Sequence, residues 1–180
     1  RPPRHPLASD GRRSAAEEEA AGGCYDEPVP PLPLERPAVM PRPIEQWHQV
    51  VKSRDMRALQ DLLAEDVVFV SPVVHTPQAG RSITMAYLQA ALQILNNDSF
   101  RYPNQWYGAD SAVLEFECEV EGISINGIDM IHWNAEGRID RFKVMVRPLK
   151  AVNKLHEMMG RELQRAAAQP RAQRAHRLAF

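Results

Sequence analysis

A strict two-residue alternation over residues 112–121 constrains the fold of this chain more than any other feature. The segment reads AVLEFECEVE, with apolar side chains at the even positions and glutamates at the odd positions from 115 onward. Because successive side chains of a strand point to opposite faces, the pattern predicts a strand with one buried and one solvated face. Turns at Glu121-Gly122 and at 134–137 separate it from two further predicted strands, 123–134 and 138–147.

The segments before these three strands are predicted to be mainly helical. Apolar residues recur with helical spacing in 44–53 and 55–64, where Asp55 is the expected N-cap, and again in 82–95. Short strands are predicted at 67–70 and 100–107, and a closing helix begins at Leu149. Since helices come first and a run of antiparallel strands follows, the predicted fold class is α+β.

The two ends of the chain differ in composition from its centre. Ten of the 15 prolines lie within the first 43 residues, so residues 1–42 are predicted to form a disordered, Pro-rich N-terminal extension. Two alternatives are a polyproline ligand for a partner domain and a leader upstream of a native initiator at Met40. Residues 166–180 are predicted to form a basic, flexible C-terminal tail, which places the folded domain over 43–165.

The charge balance and the cysteine count exclude several classes of protein. With 22 basic and 23 acidic residues, the net charge of −1 gives no electrostatic reason to expect nucleic acid or a membrane as partner. Two cysteines form neither a disulfide framework nor a zinc site, and they favour a cytoplasmic localisation. The chain lacks GxSxG, HExxH and Gly-rich phosphate-binding motifs, so we expect no metal and no organic cofactor.

Asp129 is the anomalous residue of the predicted strand 123–134. It shares its parity with Ile125, Ile131 and Trp133, which places a carboxyl group on the apolar face. Burial disfavours the charged form of a carboxyl group, so the pKa of Asp129 is expected to rise. Such groups gather at functional sites but also occur as structural hydrogen-bonded carboxyls, and the pattern leaves both roles equally open.

Two segments carry a resemblance to a known superfamily. They read IEQWHQVVKSRDMRALQDLLAEDVVFVSP and AVLEFECEVEGISINGIDMIHWNAEGRIDRFKVMVRPLKAV, and the second contains the pattern D-x-x-x-W-N-x-x-G-R-I beginning at Asp129. Over about 44–163 the chain resembles the nuclear transport factor 2-like superfamily, specifically its SnoaL-like branch. The resemblance implies a cone-shaped, curved mixed β-sheet wrapped around an apolar pocket and closed by three to four α-helices. It also implies a homodimer formed through the outer sheet face.

The enzymes of this superfamily suggest which residues act. Ketosteroid isomerases use a tyrosine, a base aspartate and a protonated aspartate, and the resemblance aligns these with Trp47, Ser71 and Asp129. A serine without an adjacent base accepts protons poorly. The chain therefore resembles more closely the SnoaL-like polyketide cyclases, which rely chiefly on one acid–base aspartate. It is less similar to the limonene epoxide hydrolases, which need an Asp–Arg–Asp set.

His75 is the second candidate for proton transfer. It lies four residues after Ser71 in a loop bounded by Pro72 and Pro77, so we expect it at the rim of the pocket, forming an acid–base dyad with Asp129. The alternative is a loop histidine that caps a backbone carbonyl. The residues expected on the ligand-binding wall are Trp47, Val70, Ser71, Leu114, Phe116, Ile131, Val144 and Val146.

These residues together predict a protein that binds a compact, apolar small molecule with a carbonyl or hydroxyl group facing Asp129. The enzymatic hypothesis is an isomerase-like or cyclase-like proton transfer next to the carbonyl, with Asp129 and His75 as catalytic residues. The alternative hypothesis is a non-catalytic ligand-binding or dimerisation module of the same fold.

Overall fold

The computed structural model describes residues 39–168, and its helices and strands follow the predicted order. The predictions of a disordered extension and of a flexible tail fall mostly on residues 1–38 and 169–180, which lie outside the described residues. The elements are α1 (Arg42–Ser53), α2 (Met56–Leu62), β1 (Leu63–Val70), β2 (Gln78–Ala79), α3 (Arg81–Leu95), β3 (Arg101–Tyr107), β4 (Ser111–Val120), β5 (Ile123–Trp133), β6 (Ile139–Arg147) and α4 (Leu149–Ala168).

The six strands form one curved, open sheet in the order β2-β1-β6-β5-β4-β3. β1 pairs with β6 in parallel, and every other pair of neighbours is antiparallel, so the sheet is mixed. Together with four helices, this arrangement confirms the predicted α+β class. The parallel contact brings the first strand of the chain beside the last, which places the α1 and α2 segments next to the final hairpin.

Besides shifts of one or two residues, the elements differ from the prediction in three ways. β1 begins at Leu63, four residues before the expected start, because the chain passes directly from α2 into the sheet. The short strand β2 forms within the predicted loop, since Gln78 and Ala79 pair with β1. α4 continues to Ala168, so the first three residues of the predicted tail are helical.

Alternation in β4 and β5 produces the buried sheet face, as predicted. The even-numbered residues of β4, from Ala112 to Val120, are at most 6% exposed. β5 buries the odd-numbered positions from Ile125 to Trp133, and the two strands pair from Ser111↔His132 to Val120↔Ile123. The apolar stripe of α1 packs into the same core and consists of Ile44, Trp47, Val50 and Val51. Asp55 caps α2 as expected, accepting hydrogen bonds from the backbone N–H groups of Arg57 and Ala58.

The glutamate-rich outer face of β4 is paired with polar residues of the two neighbouring strands, β3 and β5. Glu115 accepts hydrogen bonds from Asn104 and Asn126, and Glu117 pairs with Arg101 of β3. The two amide donors lower the pKa of Glu115, so this face is a polar network rather than an acidic site.

Gly127 allows the Phe116 ring to lie across the centre of the sheet. A Cβ atom at position 127 would stand 2.4 Å from Cζ of Phe116 and 2.6 Å from the carbonyl oxygen of Met145. The second of these atoms belongs to the β5–β6 ladder and cannot withdraw without disturbing the pairing. The absence of a side chain at 127 therefore sets the position of an aromatic ring in the core.

We predict that Gly127→Ala lowers the free energy of unfolding by about 2–3 kcal/mol, because the added methyl group overpacks the sheet. The matched control is Gly160→Ala in α4, where nothing lies within 4 Å of the new Cβ. That variant should gain about 0.5–1 kcal/mol from the higher helix propensity of alanine. Urea denaturation of the three proteins measures both changes, and a Gly127→Ala variant as stable as the unchanged protein would contradict the packing argument.

Candidate functional site

An apolar cavity lies between the buried sheet face and the helices. Its volume is about 60 Å³, enough for several water molecules or a small organic group. α1, α3 and α4 supply one side of its wall, and β1, β3, β4, β5 and β6 supply the other. Most of the lining side chains are aliphatic or aromatic, and the polar exceptions are Ser71, Asn96, Tyr102 and Asp129.

Asp129 is the one buried charged side chain among residues 39–168, and it lines this cavity. It is 6% exposed, and its register neighbours are Leu114 of β4 and Val144 of β6. Burial raises its pKa from 3.8 to about 7, against a smaller lowering by the hydrogen bond from Tyr102. The predicted inward orientation and the direction of the pKa shift are both present in the structure.

A chain of hydrogen bonds connects α1, β3 and β5 at the cavity wall. The Tyr102 hydroxyl donates to Oδ2 of Asp129 at 2.8 Å, and Nε1 of Trp47 donates to the Tyr102 oxygen at 3.0 Å. Burial, together with the adjacent carboxylate, raises the pKa of Tyr102, which keeps the phenol protonated and able to donate. Oδ1 of Asp129 has no hydrogen-bond partner within residues 39–168, so it is available to a ligand.

Sequence reasoning missed Tyr102. The strand 100–107 was predicted, but its burial pattern does not alternate cleanly, because the register with β4 shifts between Arg101 and Asn104. Pro103 lies within that shift. The one available signal was an aromatic hydroxyl on a strand next to the alternating segment. Trp47 was expected on the ligand-binding wall, and the structure directs its Nε1–H to the Tyr102 hydroxyl.

Half of the predicted wall residues line the cavity. Trp47, Ser71, Phe116 and Val144 do so, whereas Val70, Leu114, Ile131 and Val146 do not. In β1 the buried parity is that of Val67 and Phe69, so Phe69 lines the cavity and Val70 points away. Leu114 and Ile131 are completely enclosed in the neighbouring core.

His75 lies away from the cavity. Its side chain is exposed and contributes nothing to the wall, so the geometry does not support the expected dyad with Asp129. The loop turns outward at this point because Oγ of Ser71 accepts hydrogen bonds from the backbone N–H groups of Val73 and Val74, at 3.2 and 3.3 Å. Ser71 itself stays at the wall.

The described residues hold no cluster of three or more His, Cys, Asp or Glu side chains that is suited to a metal ion. Among helices α1 to α4, none is long and apolar enough to cross a membrane.

The free energy of unfolding should depend on pH because Asp129 titrates with a different pKa in the folded and unfolded states. Since its pKa is about 7 in the folded state and 3.8 in the reference state, the folded protein holds this proton more tightly than the unfolded chain does. Its contribution to the free energy of unfolding is therefore full below about pH 4 and is lost as the pH rises through 7, by an amount on the order of 4 kcal/mol.

We predict that Asp129→Asn, which mimics the neutral carboxyl group and does not titrate, removes this loss. The stability difference between Asp129→Asn and the unchanged protein should grow in favour of the variant from pH 4 to pH 8. Asp61→Asn, at an exposed position of α2, is the control and should follow the unchanged protein. Denaturant titrations across this pH range give the comparison, and parallel curves for Asp129→Asn would contradict the raised pKa.

Comparisons with known proteins agree with this architecture. A family model described as a SnoaL-like domain matches residues 44–142. A steroid delta-isomerase from Pseudomonas aeruginosa is 39% identical, with a TM-score of 0.66 over 71% of this chain and 93% of that chain. An uncharacterized protein with a cystatin-like fold from Silicibacter pomeroyi is 33% identical, with a TM-score of 0.63 over 67% of this chain and 84% of that chain.

A third solved structure shares the fold alone. This nuclear transport factor 2-like protein of unknown function from Mesorhizobium loti is 20% identical, with a TM-score of 0.51 over 59% of this chain and 88% of that chain. The search of curated proteins found no match. The family model covers more than half of the chain, and Asp129 lies within the matched residues. The chain therefore belongs to the SnoaL-like branch of the nuclear transport factor 2-like superfamily.

Proposed function

We propose that this protein binds a compact, apolar ketone and transfers a proton next to its carbonyl group, in an isomerase-like or cyclase-like reaction without a cofactor. The observation that carries the proposal is the buried carboxyl of Asp129 at the wall of an otherwise apolar cavity, hydrogen-bonded to Tyr102. The similarity to the steroid delta-isomerase of Pseudomonas aeruginosa supports the same class of reaction.

Asp129 carries the proton in this proposal. A base works best when its pKa lies near the working pH, and burial brings the pKa of Asp129 to about 7. Its ionised form accepts the proton of a carbon atom next to the carbonyl, which leaves an enolate. The protonated carboxyl group then returns the proton to a second carbon atom in an isomerase, or the enolate carbon attacks an electrophile in a cyclase.

Ser71 stabilises the developing oxyanion in the same proposal. Its oxygen already accepts two backbone N–H groups, which makes it a poor base and leaves its own hydroxyl proton free to donate. A donor directed at the carbonyl oxygen lowers the energy of the enolate that forms there. Tyr102 acts as a positioning residue, because its hydroxyl is committed to Asp129.

One observation favours the second candidate, a non-catalytic ligand-binding module. His75 is exposed, and Ser71 stands where the base aspartate of the ketosteroid isomerases would be, so among the cavity-lining residues Asp129 is the sole group that titrates near neutral pH. A binding protein would use the same carboxyl group only to donate a hydrogen bond to the ligand oxygen.

We predict that the protein converts β,γ-unsaturated ketones to conjugated enones, a change followed by ultraviolet absorbance. Small cyclic monoketones are the probes, because the cavity volume of about 60 Å³ admits a small organic group. Asp129→Asn should reduce the rate by about 100-fold or more. Tyr102→Phe removes the hydrogen bond that lowers the pKa of Asp129, so the rising limb of the rate–pH profile should move to higher pH.

Tyr87→Phe is the matched control. It removes the hydroxyl group of a tyrosine whose ring packs against Phe69, and this hydroxyl is not the one bonded to Asp129. Its pH profile should remain that of the unchanged protein. Probes that bind to the unchanged protein without any turnover would reject the enzyme in favour of the binding module.

We also propose that two copies associate through the outer face of the sheet. Met130 and Met145 are 38% and 49% exposed there, and they pair in register with Val113 and Ile128. Exposed methionines on the outer face of a sheet are typical of a contact surface. Glu115 and Lys143 border this apolar patch with opposite charges, which suits the self-complementary contact of a two-fold dimer.

The dimer proposal predicts a two-chain mass in sedimentation equilibrium. The double variant Met130→Lys/Met145→Lys should give the mass of one chain, because it places like charges across the two-fold axis. Leu149→Lys alters an apolar residue that is 74% exposed at the start of α4 and should stay dimeric. A single-chain mass for the unchanged protein would reject the proposal.

A further inference from the structure

A polar groove borders the apolar cavity where α1, the segment after α3 and β3 meet. Its volume is about 520 Å³, and it shares Val51, Asn96, Phe100 and Tyr102 with the cavity wall. The groove and the cavity therefore adjoin each other along these four residues. The hydroxyl of Tyr102 reaches Asp129 inside the cavity, so this one residue contacts both spaces.

The groove contains two cations without a carboxylate partner. Lys52 forms no ion pair with any of residues 39–168, and the guanidinium of Arg54 donates to the backbone carbonyl of Asn96. The third cation, Arg101, is neutralised by Glu117. Asp98 is the one carboxylate on the groove wall, and it pairs with neither Lys52 nor Arg54.

His48, Tyr102 and Gln105 also line the groove and contact one another. His48 forms a hydrogen bond between its Nε2 and Oε1 of Gln105 at 2.9 Å, and its ring meets the Tyr102 ring edge-on at 5.2 Å between centroids. The Tyr107 hydroxyl donates to the same oxygen of Gln105. The two cations without a carboxylate partner, Lys52 and Arg54, lie at the C-terminal end of α1.

We propose that this groove binds the anionic end of the substrate, which is a small keto acid whose apolar, ketone-bearing end enters the cavity. The inference rests on the proposed function and adds the substrate class to it. Lys52 and Arg54 against Asp98 leave one net positive charge, which matches a monoanionic carboxylate better than a dianionic phosphate. Arg54 presents a fork of N–H donors suited to a carboxylate, and Lys52 adds a mobile point charge.

The test compares linear keto acids with the methyl ester of each, which differ in charge and share the apolar chain. In the unchanged protein, calorimetric titration should give about tenfold tighter binding of the acid than of its ester. This preference should shrink as salt is added, because exposed charges are screened. In Lys52→Gln/Arg54→Gln the preference should fall below about threefold, with ester affinity unchanged. Lys52→Gln alone, at an exposed position, should show part of the same loss if the double variant folds poorly.

Arg42→Gln/Lys150→Gln removes two exposed cations elsewhere on the surface and should keep the full preference for the acid. Equal affinity for acid and ester in the unchanged protein, with both binding, would overturn the groove proposal and leave the cavity proposal standing. Binding of neither probe would overturn both proposals. A preference that survives in Lys52→Gln/Arg54→Gln would place the anion elsewhere and reject the groove.

Discussion

The burial of the Asp129 carboxyl group is the constraint on which the rest of the site depends. An ionised carboxylate that leaves water for an apolar interior loses a large solvation energy, so the folded protein must supply hydrogen bonds, hold a proton, or do both. Here Tyr102 donates the hydrogen bond. Because the pKa of Asp129 is raised to about 7, its carboxyl group also holds a proton below neutral pH. The burial that raises the pKa of Asp129 also makes its carboxyl group suitable for proton transfer.

The hydrogen-bond partner of Asp129 depends in turn on the whole sheet. Tyr102 belongs to β3, which pairs with β4 at one end of the sheet, while Asp129 lies on β5, one strand further in. The Tyr102 side chain therefore spans the intervening strand to reach the carboxyl group. Trp47 steadies this arrangement from α1, 55 residues earlier in the chain, and its ring also packs edge-on against Phe142 of β6. One hydrogen-bond chain thus connects the first helix to β3 and β5, and the Trp47 ring contact connects it to β6.

Sequence periodicity predicted which side chains of a strand are buried, and it did not predict which buried side chains line the cavity. The alternation of β4 and β5 correctly assigned the buried face, and it oriented Asp129 inward without knowledge of its partners. Val70 was expected on the cavity wall and Phe69 lines it instead, because a short apolar run such as 67–70 has no polar member to mark its outer face. Leu114 and Ile131 are buried as expected but do not line the cavity. Periodicity distinguishes buried from exposed side chains, and it does not show where a cavity lies within the core.

The α+β class and the inward carboxyl group follow from the amino-acid pattern, because side-chain direction along a strand repeats with the backbone. The curved sheet was expected from the family resemblance alone. The fold alone decided that Tyr102, rather than His75, meets Asp129, and that Lys52 and Arg54 stand beside the cavity. These neighbours are distant in sequence, and a register shift in β3 together with an outward turn after Ser71 determines which of them come together. Such contacts depend on strand register and sheet curvature, which are set by the packing of the whole domain and leave no periodic trace in the sequence.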